Sequence, residues 1–319
     1  MDRAKLSLIP ALLLALFAVL APSHAAAGVY QWKDAQGRVH FGDRAPGAGN
    51  GEVVEHETAA AKERAPDVAF SIIEHGRRLP PGIRERAEQA VHRMVQVYRT
   101  TFGLEIRHTV VVKAHIFDDQ QALRAWATEI TGRPPGNVIG LFLLQQKQVG
   151  VINLEDDPEE TLKTLIHESN HVILDQVSPR APLWLNEGLS QYFEGIDTGS
   201  ERFVVQPDLR NADLVHQLIA RNKLVHLHDY LVIPPGRWQQ MAHHEGNPLP
   251  YVIGWSLTGF LMSQPLKRRL LGGMLQDLEK ANIPPDLDTF VRRYPGGLTM
   301  LEYDWYKWAM QPAAPQALD

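Results

Sequence analysis

The chain has 319 residues, a formal net charge of −5 and no cysteine. The lack of cysteine excludes disulfide bonds and thiolate metal ligands. The acidic balance gives no electrostatic footprint for nucleic-acid binding, so we expect no nucleic-acid partner.

The first segment, residues 1–27, has the organisation of a secretory signal peptide. Basic residues Arg3 and Lys5 precede a short apolar run, and small residues follow, so cleavage is expected after Ala25 or Ala27. No other stretch approaches the roughly 20 apolar residues that a membrane-spanning helix needs. We therefore expect a periplasmic or secreted protein with no stable transmembrane segment after processing.

Residues 28–45 predict a small β-hairpin module. Two β-prone segments, "VYQW" and "RVHF", flank a turn-rich connection. The segment resembles a small domain of unknown function that begins many envelope proteins of Gram-negative bacteria. The matching residues are Tyr30, Trp32, Asp34, Gly37, Phe41 and Asp43. This resemblance implies a location, and an envelope component as partner, more than a chemical activity.

A linker and a larger domain follow the module. Residues 46–67 are rich in Gly, Ala and charge without a sustained apolar period, which is typical of a linker. Residues 68–311 form the main domain, and 312–319 a C-terminal tail. The main domain begins with a long predicted helix, since apolar residues recur at helical spacing at Ile83, Ala87, Val91, Met94 and Val95.

The next segments alternate between strand and helix. "HTVVVKAHIF" (108–117) predicts a strand, "DDQQALRAWATEI" (118–130) a helix with a capping aspartate, and "NVIGLFLLQQKQVGVINL" (137–154) two strands in a hairpin. Helical patterns dominate afterwards. This order favours an α+β fold.

The stretch "LIHESNHVILDQ" (165–176) contains His-Glu-x-x-His on a predicted helix that Asp157 caps and Pro158 begins. His167 and His171 are four residues apart, so they share a face and both reach one ion. Glu168 is offset around the helix. Two imidazoles can then hold Zn²⁺ while the carboxylate contacts the water on the metal.

A third ligand is predicted in "APLWLNEGLSQYFE" (181–194). Catalytic zinc sites use three protein ligands and leave one position for water. Glu187 follows His171 by sixteen residues, which is enough chain to leave one helix, turn and present a second helix across the metal. We assign Glu187 as the third ligand of one Zn²⁺. Packing is the better interpretation for Trp184, Tyr192 and Phe193.

His-Glu-x-x-His followed by Trp-x-Asn-Glu-Gly resembles the gluzincin metallopeptidases, in particular the peptidase MA-like group of thermolysin-like catalytic domains. The resemblance covers roughly residues 68–311. It implies a zincin-like domain with a mixed sheet followed by a mainly helical part. It also implies zinc binding by His167, His171 and Glu187, and Glu168 as general base in the hydrolysis of peptide or protein substrates. The Gly-x-Met-x-Asn segment of related aminopeptidases is absent, which favours an endopeptidase.

The resemblance implies three further features. "QVGVINL" (148–154) occupies the strand that lines the cleft, where it could pair with an extended peptide by strand addition. Tyr251 in "YVIGW" is a candidate phenol donor to the developing oxyanion, with core packing beside Trp255 as the alternative. Gln191 stands where this group has a carboxylate that orients the first histidine, and an amide can also accept an imidazole N–H.

Two other classes of function stay open. A zinc-retaining but inactive binding protein would keep the metal only to fix the fold, although such a site does not require Glu168. An envelope adaptor would act through residues 28–45 without catalysis. His243 and His244 form a second histidine cluster, for which a solvated loop is favoured over a reach into the cleft.

Overall fold

The computed structural model describes residues 68–241, 248–280 and 291–318, and the backbone of 30–33, 39–42 and 54–55. The chain divides into two compact units, Met1–Arg64 and Ala65–Asp319. The predicted signal peptide and the pair His243 and His244 lie outside the described residues. Of the helices in the described ranges, none has both the length and the apolar character needed to cross a membrane.

In the N-terminal unit, three strands pair antiparallel in the order β2-β1-β3. They are β1 (Tyr30–Lys33), β2 (Val39–Gly42) and β3 (Val54–Glu55). The register of β1 and β2 places Tyr30 opposite Gly42 and Lys33 opposite Val39. Strand β3 lies within the predicted linker and pairs with β1. The residues between β1 and β2 lie outside the described ones, so the hairpin and its boundaries stay predictions.

The second unit contains a four-stranded mixed sheet. Its strands are β4 (Val68–Glu74), β5 (Val110–Phe117), β6 (Gly140–Leu143) and β7 (Gln148–Ile152). The order is β4-β5-β7-β6, with β4, β5 and β7 parallel and β6 antiparallel to β7. The mixed sheet and the α+β class are therefore confirmed, as is the pairing of the two strands predicted within 137–154.

The expected role of "QVGVINL" in strand addition is wrong. Strand β7 pairs with β5 on one side and with β6 on the other, so its backbone hydrogen-bonding groups are already used. The edge strand on this side of the sheet is β6. An extended peptide that adds to the sheet here must therefore pair with β6.

The two faces of the sheet pack against different helices. The helices concerned are α1 (Ile83–Gln96, continued by a π-helix at Val97–Thr101), α2 (Gln120–Thr131) and α3 (Pro158–Val177). Alternate residues of β5, such as Val112 and Ala114, join the main core with α1 and α3. Phe117 instead packs with Leu123 and Trp126 of α2. The motif helix α3 thus lies on the sheet face opposite α2.

Both predicted helix caps are confirmed. The Asp119 side chain accepts a hydrogen bond from the Ala122 backbone N–H at 2.9 Å, and Asp157 accepts one from Glu160 at 3.0 Å. Pro158 occupies the first turn of α3, where its missing N–H costs no helical hydrogen bond.

Helices make up most of the rest of the second unit. They are α4 (Leu183–Phe193), α5 (Leu209–Ala220), α6 (Leu227–Leu231), α7 (Pro235–Gln239), α8 (Leu249–Met262), α9 (Pro265–Lys280) and α10 (Gly297–Ala309). Two short strands, β8 (Val204–Val205) and β9 (Gln316–Ala317), pair antiparallel. Strand β9 lies within the predicted C-terminal tail.

Helices α4 and α8 approach each other closely at two glycines. A Cβ atom on Gly188 would clash with Thr258 Oγ1 and would lie 2.5 Å from the Gly254 carbonyl oxygen. A Cβ on Gly254 would lie 2.8 Å from Tyr230 Oη and 3.0 Å from the Trp184 carbonyl oxygen. These contacts give a physical reason for the glycine in Trp-x-Asn-Glu-Gly.

A buried histidine predicts how stability depends on pH. His115 in β5 is 7 % exposed, and one nitrogen of its ring lies 2.7 Å from His75. Burial, followed by the charges of His75 and Lys113, lowers the pKa of His115 to about 4. An unfolded histidine titrates near about pH 6.5, so the unfolded chain binds more protons between these values. The free energy of unfolding should therefore fall as the pH drops from about 6.5 to about 4.

Urea unfolding of the wild type and of His115→Gln across this pH window measures the effect. The variant should show a shallower decline in the free energy of unfolding because its side chain does not titrate. Equal pH slopes in the two proteins would rule out His115 as the source.

Candidate metal centre

Helix α3 presents the histidines of the motif. Its apolar residues Leu165, Ile166, Val172 and Ile173 are buried in the core. The remaining face of the helix, which carries His167 and His171, is therefore turned toward α4. The side chains of His167 and His171 are 17 % and 11 % exposed. The predicted apolar stripe of α3 is therefore confirmed, and it fixes which way both imidazoles point.

Helix α4 brings Glu187 to these two imidazoles. Its apolar residues Trp184, Tyr192 and Phe193 are buried, which confirms their packing role. Glu187 Oε2 lies 3.5 Å from His167 Nε2 and 3.8 Å from His171 Nε2. One ligand atom from each of the three residues lies within 4.8 Å of the other two. The structure thus brings together the three residues predicted as metal ligands.

The other nitrogen of each imidazole is held by α4 or the residue that follows it. His167 Nδ1 donates a hydrogen bond to Glu194 Oε1 at 2.6 Å, and His171 Nδ1 donates one to Asn186 Oδ1 at 2.7 Å. Carboxylate and amide oxygens only accept, so in both rings Nδ1 carries the hydrogen. Both Nε2 atoms then face Glu187 and are the ring nitrogens that would bind a metal.

The orienting role expected at Gln191 is wrong, because Glu194 performs it. Glu194 follows Glu187 by seven residues, two helical turns, and so lies on the same side of α4. Gln191 Oε1 is buried without a hydrogen-bond partner within the described part of the chain. The seven-residue spacing between Glu187 and Glu194 is sufficient to predict this role for Glu194. The resembling group instead has its orienting carboxylate four residues after the ligand glutamate, which is the position of Gln191.

A buried chain of hydrogen bonds reaches His171 on the Nδ1 side of its ring. Tyr98 Oη donates to Asn170 Oδ1 at 2.6 Å, and Asn170 Nδ2 donates to Ser190 Oγ at 2.9 Å. Ser190 Oγ lies 3.2 Å from His171 Nδ1. Tyr98, Asn170 and Ser190 are fully buried. None of them was singled out from the sequence, because the contacts join segments up to 72 residues apart.

The charges at the centre act strongly on His167. Burial lowers the pKa of His167, but its hydrogen bonds to Glu187 and Glu194 raise it more, and the net result is a pKa well above the usual value. Acidic groups therefore dominate around this imidazole. Such surroundings favour a cation.

Glu168 lies beside the centre without belonging to the cluster of ligand atoms. It is buried, and burial is the main cause that raises its pKa. Gly140 of the edge strand β6 lies directly against it, since a Cβ on Gly140 would be 3.0 Å from Glu168 Cγ and from Glu168 Oε1. The carboxyl group is thus positioned between α3 and the edge strand.

Tyr251 lies within electrostatic range of the same acids. Burial raises the pKa of its phenol, and the charges of Glu187 and Glu168 raise it further. Its ring packs edge-on against Trp238 at a centroid distance of 4.6 Å. The phenol therefore stays protonated at neutral pH and keeps a hydrogen to donate.

The contact between His167 and Glu194 predicts an effect on metal affinity. In Glu194→Ala, the imidazole loses the group that fixes its Nδ1 hydrogen, so zinc affinity should fall about 10–100-fold. Competition with a chromophoric chelator measures the change. Gln191→Ala is the matched control on the same helix and should stay within about twofold of the wild type. Equal losses in both variants would contradict the assignment.

Comparison with known proteins covers the N-terminal region. A family model described as a domain of unknown function (DUF4124) matches residues 16–69, less than a fifth of the chain. The match includes all of 28–45, so the resemblance of this segment to a domain of unknown function is confirmed. No curated protein matches the chain.

Proposed function

We propose that this protein is a zinc metallopeptidase of the bacterial envelope, most simply an endopeptidase. One observation carries the proposal. The Nε2 atoms of His167 and His171 converge on Glu187 while both Nδ1 atoms are hydrogen-bonded elsewhere. If the two histidines shared a helix face only by chance, hydrogen bonds to the Nδ1 atoms of both rings would not be expected.

The donor set fits zinc. Two ligands about 2.1 Å from one zinc ion at a tetrahedral angle lie roughly 3.4 Å apart. The separations of 3.5 Å and 3.8 Å between Glu187 Oε2 and the two Nε2 atoms are close to that value. Two imidazoles and one carboxylate leave a coordination position open, which is typical of catalytic rather than structural sites.

Glu168 is the proposed general base. Zinc at this site would supply Lewis acidity, which polarises a carbonyl group and makes a water more acidic. The Glu168 carboxylate takes a proton from the attacking water and returns it to the leaving amine. Its burial against Gly140 limits competing contacts with bulk water, and its offset on α3 leaves it available for proton transfer.

Tyr251 and strand β6 are the proposed groups that position the substrate. A protonated phenol near Glu187 and Glu168 suits hydrogen bonding to a developing oxyanion. The outer edge of β6, with which no other described strand pairs, offers backbone groups to an extended peptide beside Glu168. Peptide or protein substrates are therefore favoured over small molecules.

The envelope location rests on two observations. The matched domain of unknown function resembles one that begins many envelope proteins, and residues 1–27 have the organisation of a signal peptide. An envelope component is the proposed partner of the N-terminal module.

Metal analysis and a protease assay on the mature protein test the proposal together. About one zinc per chain is expected, and His167→Ala should lose most of it because one of three protein ligands is gone. Wild-type protein should cleave an unfolded protein mixture, a chelator should stop cleavage, and added zinc should restore it. Stoichiometric zinc without cleavage across varied substrates would favour the inactive binding protein. A metal-free protein after zinc-replete purification would refute the site.

A further inference from the structure

A cavity of about 360 Å³ adjoins the metal centre. Glu194, the residue bonded to His167, forms part of its wall. Lys163 of α3, four residues before His167, also lines it, so the cavity runs along the N-terminal half of that helix. Glu194 and Ile166, the neighbour of His167 on α3, are thus the lining residues that connect the cavity to the centre.

The lining of the cavity combines an apolar base with charged side chains. Leu162 and Ile166 of α3 are buried, whereas Leu209 at the start of α5 is 64 % exposed. Such an exposed leucine beside a cavity provides apolar contact for an incoming ligand.

The acidic groups around the cavity already have partners. Both carboxylate oxygens of Glu159 bind Arg86, at 2.5 Å and 2.8 Å. Asp208 accepts hydrogen bonds from the backbone N–H groups of Arg210 and Asn211 and so caps α5. Glu194 accepts from His167.

Two basic side chains of the lining, Lys163 and Arg210, differ from these acidic groups in their contacts. Across residues 68–241, 248–280 and 291–318, neither Lys163 nor Arg210 forms an ion pair with an acidic side chain within 4.0 Å. Lys163 acts on Glu159 through its charge, but the oxygens of Glu159 are taken by Arg86. The cavity therefore presents two available cations beside an apolar base.

We propose that this cavity is a substrate subsite that binds a carboxylate of the peptide through Lys163 and Arg210. The proposal rests on the proposed peptidase function and adds a preference for acidic peptides. A carboxylate is the matching ligand because both cations form charge-assisted hydrogen bonds with it, and the stem of an Asp or Glu residue packs on the leucines. The carboxylate can come from a side chain or from the C-terminus of a peptide.

The test uses one library of random ten-residue peptides, half with free and half with amidated C-termini. Peptides retained by the immobilised, zinc-loaded Glu168→Gln protein are sequenced by mass spectrometry. We expect peptides with an acidic side chain or a free C-terminus to be enriched about tenfold or more over amidated peptides that lack acidic residues. The enrichment should disappear when Lys163→Gln and Arg210→Gln are added. Loss of retention only for amidated peptides identifies the C-terminus as the source, and retention of amidated acidic peptides identifies the side chain.

Matched variants exclude indirect effects. Lys163→Arg with Arg210→Lys keeps both charges and should keep the enrichment. Lys223→Gln with Arg221→Gln removes two exposed charges that do not line the cavity and should also keep it. No enrichment in the starting protein, or undiminished enrichment after both charges are removed, would overturn the subsite. Cleavage of the same library by wild-type protein is scored separately, so a failure of the peptidase proposal is distinguishable.

Discussion

Replacing Glu168 by glutamine should lower the rate of peptide cleavage about 10²–10⁴-fold, the usual contribution of a positioned acid–base group. The amide keeps the shape of the side chain but cannot accept the proton of the attacking water. Glu168 is not one of the three clustered ligands, so Glu168→Gln should keep its zinc and its fold. Cleavage of an unfolded protein mixture, read by mass spectrometry, gives the rate, and elemental analysis gives the metal content.

Glu129→Gln is a suitable control for this experiment. Glu129 is exposed on α2, which packs on the opposite face of the sheet, so its loss should leave cleavage within about twofold of the wild type. Equal rates for wild type and Glu168→Gln would exclude Glu168 as the base. A variant that loses both zinc and activity would instead assign Glu168 to the ligand set.

Replacing Gly188 by alanine should lower the free energy of unfolding by about 3 kcal/mol, near the upper end of overpacking effects. The new methyl group would clash with Thr258 Oγ1 and would press on the Gly254 carbonyl. A backbone oxygen within a helix cannot rotate away, so α4 and α8 must separate. Chemical denaturation of wild type and variant measures the change.

Gly136→Ala serves as the control, because no described residue other than its two chain neighbours has an atom within 4 Å of a Cβ at that position and its φ is not left-handed. Its stability should equal that of the wild type or exceed it slightly. Equal stability of Gly188→Ala and wild type would show that the two helices separate at little cost.

Local patterns in the sequence were sufficient for much of the metal centre. The Asp157 cap and Pro158 mark the start of α3, and four-residue spacing puts His167 and His171 on one face; both depend only on neighbours along the chain. Glu187 required one further step, the return of a second helix across the first. His167, His171 and Glu187 can thus be predicted from the sequence before any tertiary contact is known.

The features that could not be predicted from the sequence depend on contacts between segments that are distant along the chain. Strands β6 and β7 both read as apolar, but which of them lies at the edge depends on the pairing of β7 with β5, more than thirty residues earlier. The hydrogen bond between Tyr98 and Asn170 likewise joins segments that are 72 residues apart. Glu194 differs from these cases, since helical periodicity alone places it on the face of Glu187.

The hydrogen-bond chain from Tyr98 through Asn170 and Ser190 to His171 bears on the thermodynamics of metal uptake. It fastens α3, α4 and the π-helix after α1 together at the centre through protein groups alone. The ligand side chains are therefore preorganised, unlike those of small zinc domains that are unfolded without metal. An ion entering the site has little conformational entropy left to remove, so more of the ligand-bond energy appears as affinity. Removing the ion should correspondingly leave a folded protein that is ready to rebind it.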